Sequence, residues 1–94
     1  MYIKVNDLSE AMRLNNNFNN KNWIINFHAD WCGYCQQFKP EWMKFVKKMK
    51  NNSNLNVADV ESKFVPHVNI NEEIQGYPTI KLFNNNNTNN TNNT

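Results

Sequence analysis

The sequence predicts an α/β layered fold, and three observations carry that expectation. Apolar, β-branched and aromatic runs alternate with amphipathic stretches in the order β-α-β-α-β-α-β. One run, Trp23-Ile24-Ile25-Asn26-Phe27-His28, is almost continuously apolar, as a central strand covered on both faces must be. The segment that follows, from Cys32 to about Lys50, places Cys35, Phe38, Trp42, Phe45 and Met49 three or four residues apart, the period of a helix with one buried face.

Taken in order, Tyr2 to Val5 forms a short first strand. Asp7 or Ser9 caps a helix running to about Asn16, with Leu8, Ala11, Met12 and Leu14 on one face. The central strand at 23–28 and the long helix come next. Pro40 lies inside that helix and predicts a kink. Lys39, Glu41, Lys44, Lys47, Lys48 and Lys50 occupy mostly its other side, a solvated face rather than a binding patch. Leu55 to Val60 is the third strand. Residues from about Lys63 to Glu73 form a short helix or irregular turn interrupted by Pro66, and Thr79 to Phe83 is the fourth strand. No internal repeat is visible.

A chain of 94 residues accommodates one small domain, here residues 1–83. From Asn84 to Thr94 the sequence holds only Asn and Thr, which have nothing apolar to bury, so 84–94 is expected to be a disordered tail. Its sequons, and the one at Asn51, are what Asn-rich tracts generate automatically. Ten Lys and Arg against eight Asp and Glu leave a net charge of +2, which gives no electrostatic reason to expect a nucleic acid or a membrane surface as partner. Two cysteines are too few for a disulfide-built secreted scaffold. The first residues show no basic stretch followed by an apolar core, so no signal peptide is seen, and a soluble cytoplasmic or otherwise intracellular protein is expected.

The chemistry concentrates at Cys32-Gly33-Tyr34-Cys35. At the start of a helix, unpaired backbone N–H groups and the positive end of the dipole stabilise a thiolate. Cys32 is therefore expected to be the exposed, activated nucleophile. Cys35, one turn deeper on the same face and more buried, can attack a mixed disulfide formed at Cys32 and release the product. Such a pair cycles between dithiol and disulfide and needs no other cofactor. Zinc would require a second ligand pair; His28 and His67 are the candidates, and nothing in their spacing recommends them, so no metal is expected. Two inert core cysteines are the remaining alternative. Gly33 between them and Trp31 before them argue instead for a presented turn.

The run from Phe27 to Trp42, with Ala29-Asp30-Trp31-Cys32-Gly33-Tyr34-Cys35 at its centre, resembles the active-site segment of the thioredoxin superfamily, and more closely that of protein disulfide isomerase catalytic domains. A second matching segment is Gly76-Tyr77-Pro78-Thr79-Ile80-Lys81-Leu82-Phe83. The resemblance covers about residues 1–83. It implies the thioredoxin fold, three α/β/α layers around a mixed sheet, and a thiol–disulfide oxidoreductase acting on protein disulfides, recharged by an electron donor or acceptor. It implies that Pro78 is cis and faces the cysteines, that Tyr77, Pro78 and Trp31 meet the substrate chain, and that Trp31, Gly33, Tyr34 and Asn26 support the active site. Asn26 stands where the family carries a buried acid, beneath the helix near Cys35. Asp59 stands where it often has a lysine beside that acid, a pairing that a neutral Asn26 removes. Tyr34 replaces the usual Pro or His. The family's last edge strand and C-terminal helix have no counterpart after Phe83, so the fourth strand is expected at a sheet edge with Ile80 and Leu82 sharing a poorly covered face. His28 falls within plausible reach of the site, and His67 is expected on the surface. Two other functions fit the same residues: a non-catalytic module that docks extended peptides beside Pro78, and a glutathione-dependent, glutaredoxin-like enzyme.

Overall fold

The computed structural model describes residues 1–19 and 21–84. The chain runs through β1 (Tyr2–Val5), α1 (Leu8–Asn17), β2 (Asn22–His28), α2 (Gly33–Met49), β3 (Asn56–Glu61), a 3-10 helix (Ser62–His67) and β4 (Thr79–Asn84). The strands form one sheet in the order β1-β3-β2-β4, with β3 parallel to both neighbours and β4 antiparallel to β2. This is the mixed sheet that the resemblance implies.

Parallel strands need long crossovers, which the two helices provide. The first crossover, from β1 to β2, moves one way along the sheet, and the second, from β2 back to β3, moves the other. Right-handed connections of opposite direction place their helices on opposite faces, giving three layers. On the α1 face, Ile3, Val5, Trp23, Ile25, Phe27, Ala58 and Val60 pack with Ala11, Leu14 and Phe18. Each large side chain fully buried there contributes about 1.5–3 kcal/mol. On the α2 face, Trp42 and Val46 pack on Val57, flanked by Tyr2, Ile24, Phe38, Phe45 and Met49.

Several boundaries and faces differ from the sequence reading. Asp7 is the N-cap of α1, its carboxylate accepting from the Glu10 N–H at 2.8 Å. Leu8 and Met12, expected on the buried face, are 54% and 63% exposed. The buried stripe of α1 is Ala11, Leu14 and the following Phe18, and Leu8 and Met12 stand to one side of it. Helix α2 continues through Pro40 to Met49, although Pro40 offers the Gln36 carbonyl no N–H. Strand β3 takes in Glu61, and β4 takes in Asn84, which pairs with Asn22. The rest of the Asn/Thr stretch, expected to be disordered, lies outside the described residues.

As expected, β4 is an edge strand among the described residues. Phe83 turns to the α1 face and meets Phe18 and Phe27 edge-on at 5.3 and 6.4 Å. Ile80 and Leu82 turn to the other face and are 40% and 67% exposed.

Candidate active site

Strand β2 ends at His28, and the loop Ala29–Trp31 carries the chain into α2. The loop is fixed from three directions. The Cys32 N–H donates to the Ala29 carbonyl at 3.1 Å. The Gln36 side-chain amide donates to the Asp30 carbonyl at 3.0 Å. The Asp30 N–H donates to the buried Glu61 carboxylate at 3.2 Å. Glu61 also accepts from the Lys63 N–H at 2.8 Å and the Ser62 hydroxyl at 3.1 Å. Burial alone would raise its pKa, but these donors and the Lys63 charge outweigh that and hold the carboxyl below its ordinary value.

Cys32 is the N-cap of α2, in extended conformation, and Cys35 lies in the first turn. The two form a disulfide with Cα atoms 5.2 Å apart. The Cys35 N–H donates to Cys32 Sγ at 3.0 Å, so a helix-terminal donor is aimed at that sulfur. Across the site, the Tyr77–Pro78 peptide bond is cis, and the Tyr77 carbonyl oxygen stands 3.4 Å from Cys32 Sγ. Trp31 crosses the Tyr77 ring edge-on at 5.8 Å. Trp31 and Tyr34 are each 75% exposed beside the buried cysteines.

The expected contrast in exposure between the cysteines is absent. Cys32 is 5% and Cys35 8% exposed, because the two cluster with Ala29 and Tyr77 packs against that cluster. What separates them is surroundings: Cys32 faces Tyr77, whereas Cys35 backs onto a cleft. Gly33 has an ordinary backbone, and a Cβ there would meet nothing within 4 Å, so neither space nor conformation demands glycine.

The cleft holds about 370 Å³ and is lined by Cys35, Asn26, Asp59, Trp42 and the exposed Lys4 and Lys39, with His28 also on its wall. Asn26 is buried, as the resemblance places it. The surprise is Asp59, 4% exposed, its carboxylate accepting from Asn26 Nδ2 at 3.1 Å and from the Tyr2 hydroxyl. Burial, the hydrogen bond to Asp59 and the negative charge of Asp59 together raise the Tyr2 phenol well above its usual range. The sequence reading passed over Tyr2, Gln36 and Glu61 and left Asp59 without a partner. The usable signal was the two-residue period: Asn26 pairs in register with Asp59, and His28 with Glu61, all on the α2 face. His67 is exposed on the 3-10 helix, away from these groups. Among the described residues, no group of three or more His, Cys, Asp or Glu is placed to hold a metal, and no helix is long and apolar enough to cross a membrane.

Comparison with known proteins agrees with this geometry. The thioredoxin family model matches residues 4–94. A thioredoxin domain-containing protein of Acanthamoeba polyphaga mimivirus is 32% identical over 108 aligned positions, covering 85% of this chain and 31% of that protein. Human protein disulfide-isomerase A6 is 35% identical over 66 residues, covering 68% of this chain and 14% of that protein. The chain thus spans less than a third of the length of either relative. The solution structure of the first thioredoxin domain of mouse protein disulfide-isomerase A4 superimposes with a TM-score of 0.54 at 30% identity, covering 84% of this chain and 55% of that one. With its Cys-x-x-Cys disulfide at a helix N-terminus, its cis-proline and its mixed sheet, the chain belongs to the thioredoxin family.

Proposed function

We propose that this chain is a protein-disulfide oxidoreductase domain. The observation that carries the reading is the Cys35 N–H held 3.0 Å from Cys32 Sγ at the start of α2. A donor there stabilises negative charge on that sulfur, whether as a free thiolate or as the leaving group of a broken disulfide. Attack by Cys32 on a substrate disulfide forms a mixed disulfide, and attack by Cys35 on Cys32 Sγ releases the substrate as a dithiol. The two sulfurs carry the electrons, so the reaction needs no further cofactor, only a donor or acceptor to reset the pair. Trp31 and Tyr34 offer exposed aromatic surface to a polypeptide, and the Tyr77 backbone beside Pro78 offers hydrogen-bonding groups to an extended chain.

Reduction of insulin disulfides by the dithiol form, followed by turbidity with a chemical reductant in excess, tests the proposal. The parent should accelerate precipitation, and Cys32→Ser should not. A parent no faster than the reductant alone would favour the non-catalytic peptide-docking alternative.

A further inference from the structure

The cleft behind Cys35 contains a carboxylate for which the exchange scheme above has no use. Among the described residues only Asp59 and Glu61 are buried acids. Glu61 is committed to two backbone N–H groups and a hydroxyl. Asp59 has two donors, Tyr2 and Asn26, and borders the same cleft as Cys35. A carboxylate presents about four acceptor positions, so Asp59 keeps acceptor capacity beyond these two donors.

Two further polar atoms belong to residues of the cleft wall. Asn26 Oδ1 and Trp42 Nε1 are buried and have no hydrogen-bond partner among the described residues. The cleft volume of about 370 Å³ admits several water molecules, and residues of its wall carry these two buried, unpaired polar atoms. The Asn26 amide has a defined orientation. Its Nδ2 must face Asp59, which can only accept, and this leaves Oδ1 as the free acceptor.

We propose that Asp59 accepts the Cys35 thiol proton through solvent in this cleft, with the Asn26 amide and the Tyr2 hydroxyl holding its carboxylate in place. This rests on the reading of Cys32 and Cys35 as an exchanging pair. In the step concerned, the Cys35 S–H proton passes to Asp59. The Cys35 thiolate attacks Cys32 Sγ, the Cys32–Cys35 bond forms, and the bond from Cys32 to the substrate sulfur breaks. The substrate sulfur leaves with the electron pair as a thiolate. The substrate is reduced and the protein dithiol oxidised by two electrons, and Asp59 returns its proton to solvent. The ionisable groups that share the cleft with Asp59 or lie beside it are Tyr2 and Lys4 from β1, His28 from β2, Asp30 from the loop before α2, and Cys35 and Lys39 from α2, with Glu61 two residues along its own strand.

The test is a stopped-flow single turnover of the full chain, reduced, with an equimolar aromatic disulfide, dithiobis-nitrobenzoate. Attack by Cys32 releases the first coloured thiolate, and resolution by Cys35 releases the second. The first phase is the internal reference. In the parent, the second phase should be nearly flat between about pH 6 and 8, because the acceptor is a group of the protein itself rather than hydroxide from solvent. In Asp59→Asn it should slow by about 10²-fold at neutral pH and then rise about tenfold per pH unit, following the thiolate fraction of Cys35 itself. The exchange variant Asn26→Asp/Asp59→Asn, which keeps one acid and one amide in the pair, should restore a flat profile. If Asp59→Asn keeps the parent profile, the inference is overturned. If Asp59→Asn does not fold, the parent decides alone, since a second phase already climbing tenfold per unit has no built-in acceptor. Absence of the first phase in the parent would overturn the proposed function instead, and this inference with it.

Discussion

The backbone N–H of Cys35 donates to Cys32 Sγ across 3.0 Å, so the helix that carries one cysteine solvates the sulfur of the other. The relation is asymmetric: Cys32 is the N-cap and receives the donor, while Cys35 lies within the helix and faces the cleft.

The first prediction follows from that asymmetry. In the reduced protein Cys32 should ionise below the ~8.5 of a free cysteine, and Cys35 should not. Alkylation by iodoacetamide across pH, with the modified residue identified by mass, should show Cys32 reacting first and with the lower midpoint. Preferential labelling of Cys35 at neutral pH would reverse the assigned roles. Cys35→Ser should accumulate mixed disulfides with substrate.

A second prediction concerns Glu61, which ties the loop before Cys32 to the 3-10 helix through Asp30 and Lys63. Hydrogen bonds to a charged acceptor are worth about 1.5–3 kcal/mol each, so Glu61→Gln should lower stability by about 2 kcal/mol at pH 7. The folded pKa lies below the ordinary 4.5. Its contribution is therefore fully present above that value and is lost as pH falls through the folded value. Urea unfolding of parent and variant should give curves that differ at pH 7 and converge in acid. A gap that stays constant into acid would mean that the carboxylate charge plays no part.

These two predictions mark what the sequence could and could not convey. The cysteine motif, the apolar central strand and the Pro78 segment are local patterns, and each implies its own structure. The roles of Glu61 and Asp59 depend on strand register, and register is set by pairing across the sheet. Ending the third strand at Val60 placed Glu61 outside it, and one residue decided whether a buried clamp was visible. Similarly, the α1 face was misjudged because Leu8, Ala11, Met12 and Leu14 are all apolar. Composition does not say which of them the sheet will cover.

A third prediction contrasts neighbours on β4. Phe83 lies half-buried between Phe18 and Phe27, and Phe83→Ala should cost about 2–3 kcal/mol, less than a fully buried ring. Leu82 is 67% exposed, and Leu82→Lys should change stability by less than about 0.5 kcal/mol. The same lysine, on an edge strand beside the exposed Ile80, should reduce self-association. Thermal unfolding and sedimentation of the two variants check both halves. A large destabilisation by Leu82→Lys would show that this face is covered in solution.

The last prediction concerns Tyr2 and alkaline pH. Its hydroxyl donates to the buried Asp59 carboxylate, and both burial and that negative charge oppose formation of a phenolate. The folded pKa is raised above the ordinary 10.0. Above pH 10 the unfolded chain releases this proton while the folded chain keeps it, so the folded state loses ground as pH rises. Below pH 10 both states hold the proton and the contribution is complete. One proton corresponds to at most about 1.4 kcal/mol per pH unit, and the half-buried ring, reached by solvent, should give less than that ceiling. Tyr2→Phe removes the ionisation and the hydrogen bond together. At pH 7 it should be less stable than the parent by about 1.5–3 kcal/mol, the usual worth of a hydrogen bond to a charged group. Between about pH 10 and 11 the deficit should shrink, because only the parent carries the unfavourable Tyr2 linkage. The measurement is urea unfolding of both proteins at neutral and alkaline pH, with other ionising residues common to the pair and cancelling in the difference. A deficit that remains constant or widens above pH 10 would show that the Tyr2 hydroxyl is not held against Asp59 in the folded protein.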